Sequence, residues 1–135
     1  MVTLHILALC VTFALVLYAD EQALQYVRGR IEMFQARTAG FLHYAVALGL
    51  ASIMITGGLM YARSPQYYLS DPTFIVKMVA VAALIVNSAF IERFSTLAAA
   101  VAFTDLSPSE RRAFFVSGGV SMFGWGTALL CGLLL

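Results

Sequence analysis

The segment from 70 to 94, SDPTFIVKMVAVAALIVNSAFIERF, is apolar enough to cross a bilayer, yet it carries Lys77 near its start and Asn87 and Ser88 further in. Ionisable groups within a membrane are costly and commonly mark a site. A second such group is His5, inside the apolar run VTLHILALCVTFALVLYA at the beginning of the chain. A neutral imidazole offers an electron pair to a proton or a metal, and an ammonium attracts an anion, so the two together can hold a small ligand. Each also has a plainer reading. Lys77 can reach back toward the headgroups or pair with Asp71, and His5 alone can be a boundary residue. For Asn87 and Ser88, hydrogen bonding between helices is the simpler role. Cys10 and Cys131 sit in separate apolar runs and read as small buried residues, without the spacing of a metal pair or a disulfide framework. No phosphate loop, zinc spacing or nucleophile triad occurs, so a hydrolase is not indicated.

What must position these groups is a set of membrane helices. Hydrophobic residues make up 61% of the chain and charged residues 11%, a balance that suits lipid as solvent rather than a small soluble core. The formal charge of +1 provides no basic surface for a nucleic acid. With 135 residues there is room for about four spans of roughly 20 residues each and no separate soluble domain. The expectation is therefore an all-α, integral membrane four-helix bundle forming one domain over 1–135, with spans at about 2–19, 41–62, 73–94 and 113–134. The first span reads as an anchor rather than a cleaved signal, because no basic residue precedes it and Asp20 and Glu21 follow it. Leu24, Val27, Ile31 and Phe34 give the segment from about 21 to 38 one apolar face, so it either continues the first helix or lies on the membrane surface.

Local signals mark where the helices start. Asp71 and Pro72 suit the beginning of the third helix, which then meets no breaker until Thr104 and is long enough to run to about 103. Ser107, Pro108 and Glu110 form a capping-box pattern for the last helix. Along that helix Ser117, Ser121, Gly124, Ala128 and Gly132 recur every three or four residues, a stripe for close helix packing. Ala45, Gly49, Ser52 and Thr56 form a similar stripe on the second helix. Polar residues share sides too: Lys77, Leu84, Ser88, Glu92 and Ser95 on the third helix, and His5, Thr12, Val16 and Asp20 on the first. With Asn87, these polar stripes read as the lining of an interior pocket or pathway.

Six basic residues, Arg28, Arg30, Arg37, Arg93, Arg111 and Arg112, fall on one side of the membrane, and Arg63 and Lys77 on the other. This asymmetry puts both termini on the outer, non-cytoplasmic side. His5 and Lys77 then share a depth near the outer face, while His43 lies near the inner one.

The third-helix stretch YYLSDPTFIVKMVAVAALIVNS resembles the motif of an uncharacterised bacterial family of small four-helix membrane proteins, with an aromatic pair, Asn or Asp before Pro, a Phe and a Lys. The first span, and Gly57 and Gly58 before Arg63, fit the same layout, so the resemblance covers about 3–95. More distantly, the early histidine and the lysine opening the third helix are similar to HemJ-type protoporphyrinogen oxidases and copper-resistance D-type membrane proteins. The HemJ resemblance implies b-haem bound through His5, as the iron ligand, and Lys77, as a second ligand or a partner of a propionate. The chain departs from that pattern where its first helix ends VLYADE instead of continuing through a Pro-Arg pair, and where Asn87 stands near a frequent second histidine. Haem binding is therefore the implied property rather than the oxidase activity. The resemblance also implies a bacterial cytoplasmic (inner) membrane.

Three functions follow as expectations: a b-haem or porphyrin-handling redox protein using His5 and Lys77; a cofactor-free accessory or assembly subunit, as a homo-oligomer or within a larger membrane complex; and a small oligomeric transporter or channel. Membrane lipids are partners in every case.

Overall fold

The computed structural model describes residues 1–135, the side chain of Ala36 excepted. It is all helical: α1 (Val2–Val27), α2 (Ala36–Arg63), the short α3 (Pro65–Leu69), α4 (Pro72–Ala100) and α5 (Pro108–Leu134), with one 3-10 turn at Phe103–Asp105. Four of these helices are long and apolar enough to span a membrane. At 26 to 29 residues each, they measure about 40 Å, longer than the roughly 30 Å of hydrocarbon in a bilayer. Their outward faces carry the large apolar residues: Phe123 is 80% exposed, Leu48 70% and Phe41 68%. Such a surface is stable only against lipid, so the chain is an integral membrane protein.

The helices pack as two antiparallel pairs, α1 with α2 and α4 with α5, joined through α1–α5 and α2–α4 contacts. One end of the bundle holds both chain termini and the α2–α4 connection. The opposite, connector end holds the α1–α2 and α4–α5 connections. The helix starts follow the local chemistry. The Asp71 carboxylate accepts from the Thr73 amide at 2.8 Å, and Ser107 and Glu110 make the reciprocal capping box. Each satisfies amide groups that would otherwise be unpaired at a helix start.

The connector end follows the sequence expectation in part, since the first helix does continue past residue 20. Residues 21–38 do not form one amphipathic helix: α1 continues to Val27, the chain then turns through 28–35, and α2 starts at Ala36. Gly29 adopts φ +75°, a left-handed conformation that glycine takes without steric cost, and this breaks the helix. The turn is pinned where the Phe34 amide donates to the Ala98 carbonyl at 2.9 Å. The buried face also differs, since Leu24 is exposed and Tyr26 is completely buried. Tyr26 packs edge-on against Phe34 and Phe103, and its hydroxyl donates to the Val101 carbonyl at 2.7 Å. Capturing that carbonyl holds the chain extended just after α4, which ends at Ala100 rather than near 103. The loop before α4 contains a helical turn, α3, opened by Pro65.

The interior is layered. Leu9, Val16, Ile53, Leu84 and Trp125 form an apolar cluster in the middle of the bundle. Tyr26, Ala98 and Leu106, with Phe34, Phe103 and Phe114 around them, form a second cluster that plugs the connector end. The small-residue stripe on α5 lies on the inward face: Ser117, Ser121, Gly124 and Ala128 are buried, and Gly132 is half-buried. A Cβ at Gly124 would stand 2.7 Å from a Leu84 methyl, so only glycine lets α5 approach α4 here. Gly49 plays the same part on α2, where a Cβ would overlap the Thr12 side chain. Cys131 is buried as expected, but Cys10 is exposed and faces outward.

Candidate functional site

His5 and Lys77, 72 residues apart in sequence, meet at the termini end: Lys77 Nζ lies 3.0 Å from His5 Nε2. Both are buried, at 4% and 8% exposure. Lys77 therefore does not extend toward the headgroups, and the Asp71 carboxylate caps its own helix instead of pairing with it. Helical phase accounts for the meeting. His5, Leu9, Thr12 and Val16 lie along one face of α1 and are all buried, and Lys77, Ala80, Val81, Leu84 and Asn87 form the matching buried face of α4.

The other nitrogen of the ring fixes its chemistry. His5 Nδ1 is 2.8 Å from Thr56 Oγ1 on α2. The Thr56 hydroxyl is also 2.8 Å from the Ser52 carbonyl and 3.2 Å from that of Ile53, so its single proton goes to a backbone carbonyl. Its oxygen must then accept from Nδ1–H, which leaves Nε2 with its electron pair directed at Lys77. The Ser52 carbonyl, Thr56 hydroxyl, His5 ring and Lys77 amino group form one hydrogen-bonded chain, in which His5 is the only partner of Lys77 among the described residues. Glycines make the fit: a Cβ at Gly57 would stand 3.2 Å from His5 Cε1, and one at Gly132 would stand 3.3 Å from Lys77 Nζ. The sequence singled out His5 and Lys77 but treated Thr56 only as a small packing residue. The missed signal was that a hydroxyl on the packing stripe of α2 can face the histidine of α1.

The other polar residues divide between two roles. Thr12 is buried and donates to the Ala8 carbonyl of its own helix at 2.7 Å. Asn87 and Ser117 bond reciprocally: the amide donates to the Ser117 carbonyl and the serine hydroxyl to the amide oxygen, each at 2.9 Å. The Thr12 bond is completed within α1, and the Asn87–Ser117 pair ties α4 to α5. Ser88 turns its hydroxyl back to the Ile85 carbonyl, and Glu92 is exposed. Ser88 and Glu92 follow Lys77 along the same side of α4, toward the connector end, where the bundle is less closely packed. They border a cavity of about 890 Å³ between the apolar middle cluster and the aromatic plug. Asp20 and His43 line the same cavity, and His43 Nε2 is 3.9 Å from a Glu92 carboxylate oxygen. One Asp20 carboxylate oxygen is buried there without a hydrogen-bond partner.

The donor chemistry at His5 suits a haem iron, since the ring is oriented through Nδ1 and its Nε2 pair points into an apolar interior. The space is another matter. Lys77 stands where a metal on Nε2 would be, with Leu9 and Gly132 packed beside it, so binding there requires Lys77 to move aside. No family model, curated protein or solved structure matches this chain.

Proposed function

We propose that this small integral membrane protein binds b-haem or a related porphyrin through His5 and Lys77 and serves in redox or porphyrin handling. The observation that carries this reading is the buried imidazole of His5, oriented through Nδ1 by Thr56 so that Nε2 keeps its electron pair, with Lys77, 3.0 Å away, as the group that must leave that nitrogen first. Bound haem would supply one-electron redox chemistry. The protein's own residues supply the rest. Thr56 holds the tautomer, His5 presents Nε2, and Lys77 gives up that nitrogen and offers its charge to an anionic group such as a propionate. Leu9 and the apolar middle cluster keep water from the site. The positive-inside asymmetry supports a topology with both termini outside, in a bacterial inner membrane, which places the pair near the outer face. A reporter active only in the cytoplasm, fused after Leu135, should be silent; activity would reverse the orientation.

The test of the haem reading is the absorption spectrum of detergent-purified protein expressed with added haem precursor, before and after dithionite. A Soret band with sharpened reduced bands is expected. A colourless protein that also refuses added haemin sinks it.

A second reading is favoured by the same 3.0 Å contact taken alone. Two bases facing each other without a carboxylate partner share a proton, the arrangement a proton-coupled transporter needs. Proton flux in liposomes that disappears in Lys77→Met, from a protein that takes up no haem, would favour it.

A further inference from the structure

We infer that the cavity at the connector end binds a hydrophobic organic cation. Its volume of about 890 Å³ lies within the range of small-molecule sites, roughly 300–1,000 Å³. Both helix pairs, α1–α2 and α4–α5, line it, and the lining residues Tyr18, Met54 and Ile85 are exposed on the outer, lipid-directed surface, which gives a ligand dissolved in the bilayer a way in. Its walls include Phe34, Phe114 and Trp125, aromatic faces that attract both an apolar body and a positive charge.

The polar lining selects the sign. Two carboxylates, Asp20 and Glu92, border the cavity, and among the described lining residues no lysine or arginine does. Arg28, Arg30, Arg37 and Arg93 belong to the same end of the bundle but are exposed, and none pairs with either carboxylate. Glu92 has His43 at 3.9 Å, whereas Asp20 keeps a buried oxygen with no partner at all. A buried carboxylate oxygen without a donor is unfavourable, and a cationic or ammonium head placed beside it would remove that cost. The occupant is thus a lipid-soluble molecule with an aromatic or branched apolar body and one positive centre, its charge against Asp20. This site is separate from His5 and Lys77 and stands or falls independently of haem binding there.

Tetraphenylphosphonium and tetraphenylborate have the same shape and opposite charge, and they separate charge recognition from simple greasiness. Purified full-length protein in a neutral detergent should bind labelled tetraphenylphosphonium saturably, with quenching of Trp125, the one tryptophan in the chain. It should bind tetraphenylborate at least tenfold more weakly. Asp20→Asn should weaken cation binding at least tenfold, and Glu92→Gln by less. Equal binding of the two ions, no saturable binding, or unchanged affinity in a folded Asp20→Asn variant would each overturn the inference. If Asp20→Asn does not fold, the wild-type preference between the two ions decides by itself.

Discussion

The two ends of this bundle handle buried polar groups in opposite ways. At the termini end, His5 and Lys77 are drawn together and completed by Thr56, with glycines holding the helices close. Toward the connector end a cavity lies between the helices, and Asp20 is left with an unpartnered oxygen beside it. The difference lies in the residues between the helices. Gly57 and Gly132 allow contact around the first region and Gly49 and Gly124 in the middle of the bundle, whereas the connector end is closed by the larger side chains packed around Tyr26. A closed polar pair is a place to hold a proton or a tightly fixed ligand. A lateral cavity is a place to admit one.

Equivalent substitutions in the two regions give the sharpest contrast. Gly124→Leu drives a side chain into Leu84, and Gly49→Leu drives one into Thr12, so each should cost about 1–3 kcal/mol or more. Loss of the folded species on a detergent stability screen is the readout. Gly118→Leu adds the same bulk where nothing lies within 4 Å, beside the cavity, and should leave the melting temperature nearly unchanged. Equal damage at Gly118 and Gly124 would mean that the cavity is closed in the folded protein.

A smaller effect is expected at Asn87. Replacement by leucine removes both bonds to Ser117, and polar contacts between membrane helices are worth about 0.6 kcal/mol on average and up to about 1.7. A chemical denaturation series would measure it. No change would show that membrane solvation replaces those bonds at no cost.

Much of this was legible in the sequence, for a definite reason. Within lipid, helices are the only open-chain solution, so apolar run length, the Asp71 cap and the Ser107 to Glu110 box locate α4 and α5 closely. Helical phase likewise aligned His5 with Thr12, Val16 and Asp20. The connector end was less legible, because the face of Leu24, Val27, Ile31 and Phe34 assumed unbroken helical phase through Gly29. Once Gly29 turns the chain, that phase is lost, and Tyr26 takes the interior position. Thr56 was hidden because its role depends on the mutual rotation of α1 and α2, which no single helix encodes. The cavity was hidden for the same reason: Asp20 reads as a span end until Phe34 and the α4–α5 pair are placed around it.

Lys77→Met should have the smallest effect on stability while changing the chemistry most. Methionine suits both the helix and the apolar surroundings, and it removes an ammonium from the interior, so the melting temperature should stay level or rise slightly. A marked fall would mean that the His5 contact is structural. Leu134→Ala, at a side chain 78% exposed to lipid, should change stability by no more than about 0.5 kcal/mol and calibrates the comparison.

The central claim is that His5 Nε2 is the ligand-accepting atom of the site. It is tested most directly by titrating haemin into purified wild-type, His5→Ala, Lys77→Met and Thr56→Val proteins and recording reduced and oxidised spectra. The account expects saturable binding by the wild type, none by His5→Ala, retained binding with shifted bands in Lys77→Met, and about 10- to 100-fold weaker binding in Thr56→Val. Wild-type protein that binds no haemin, or His5→Ala protein that binds it with an unaltered spectrum, would contradict the account.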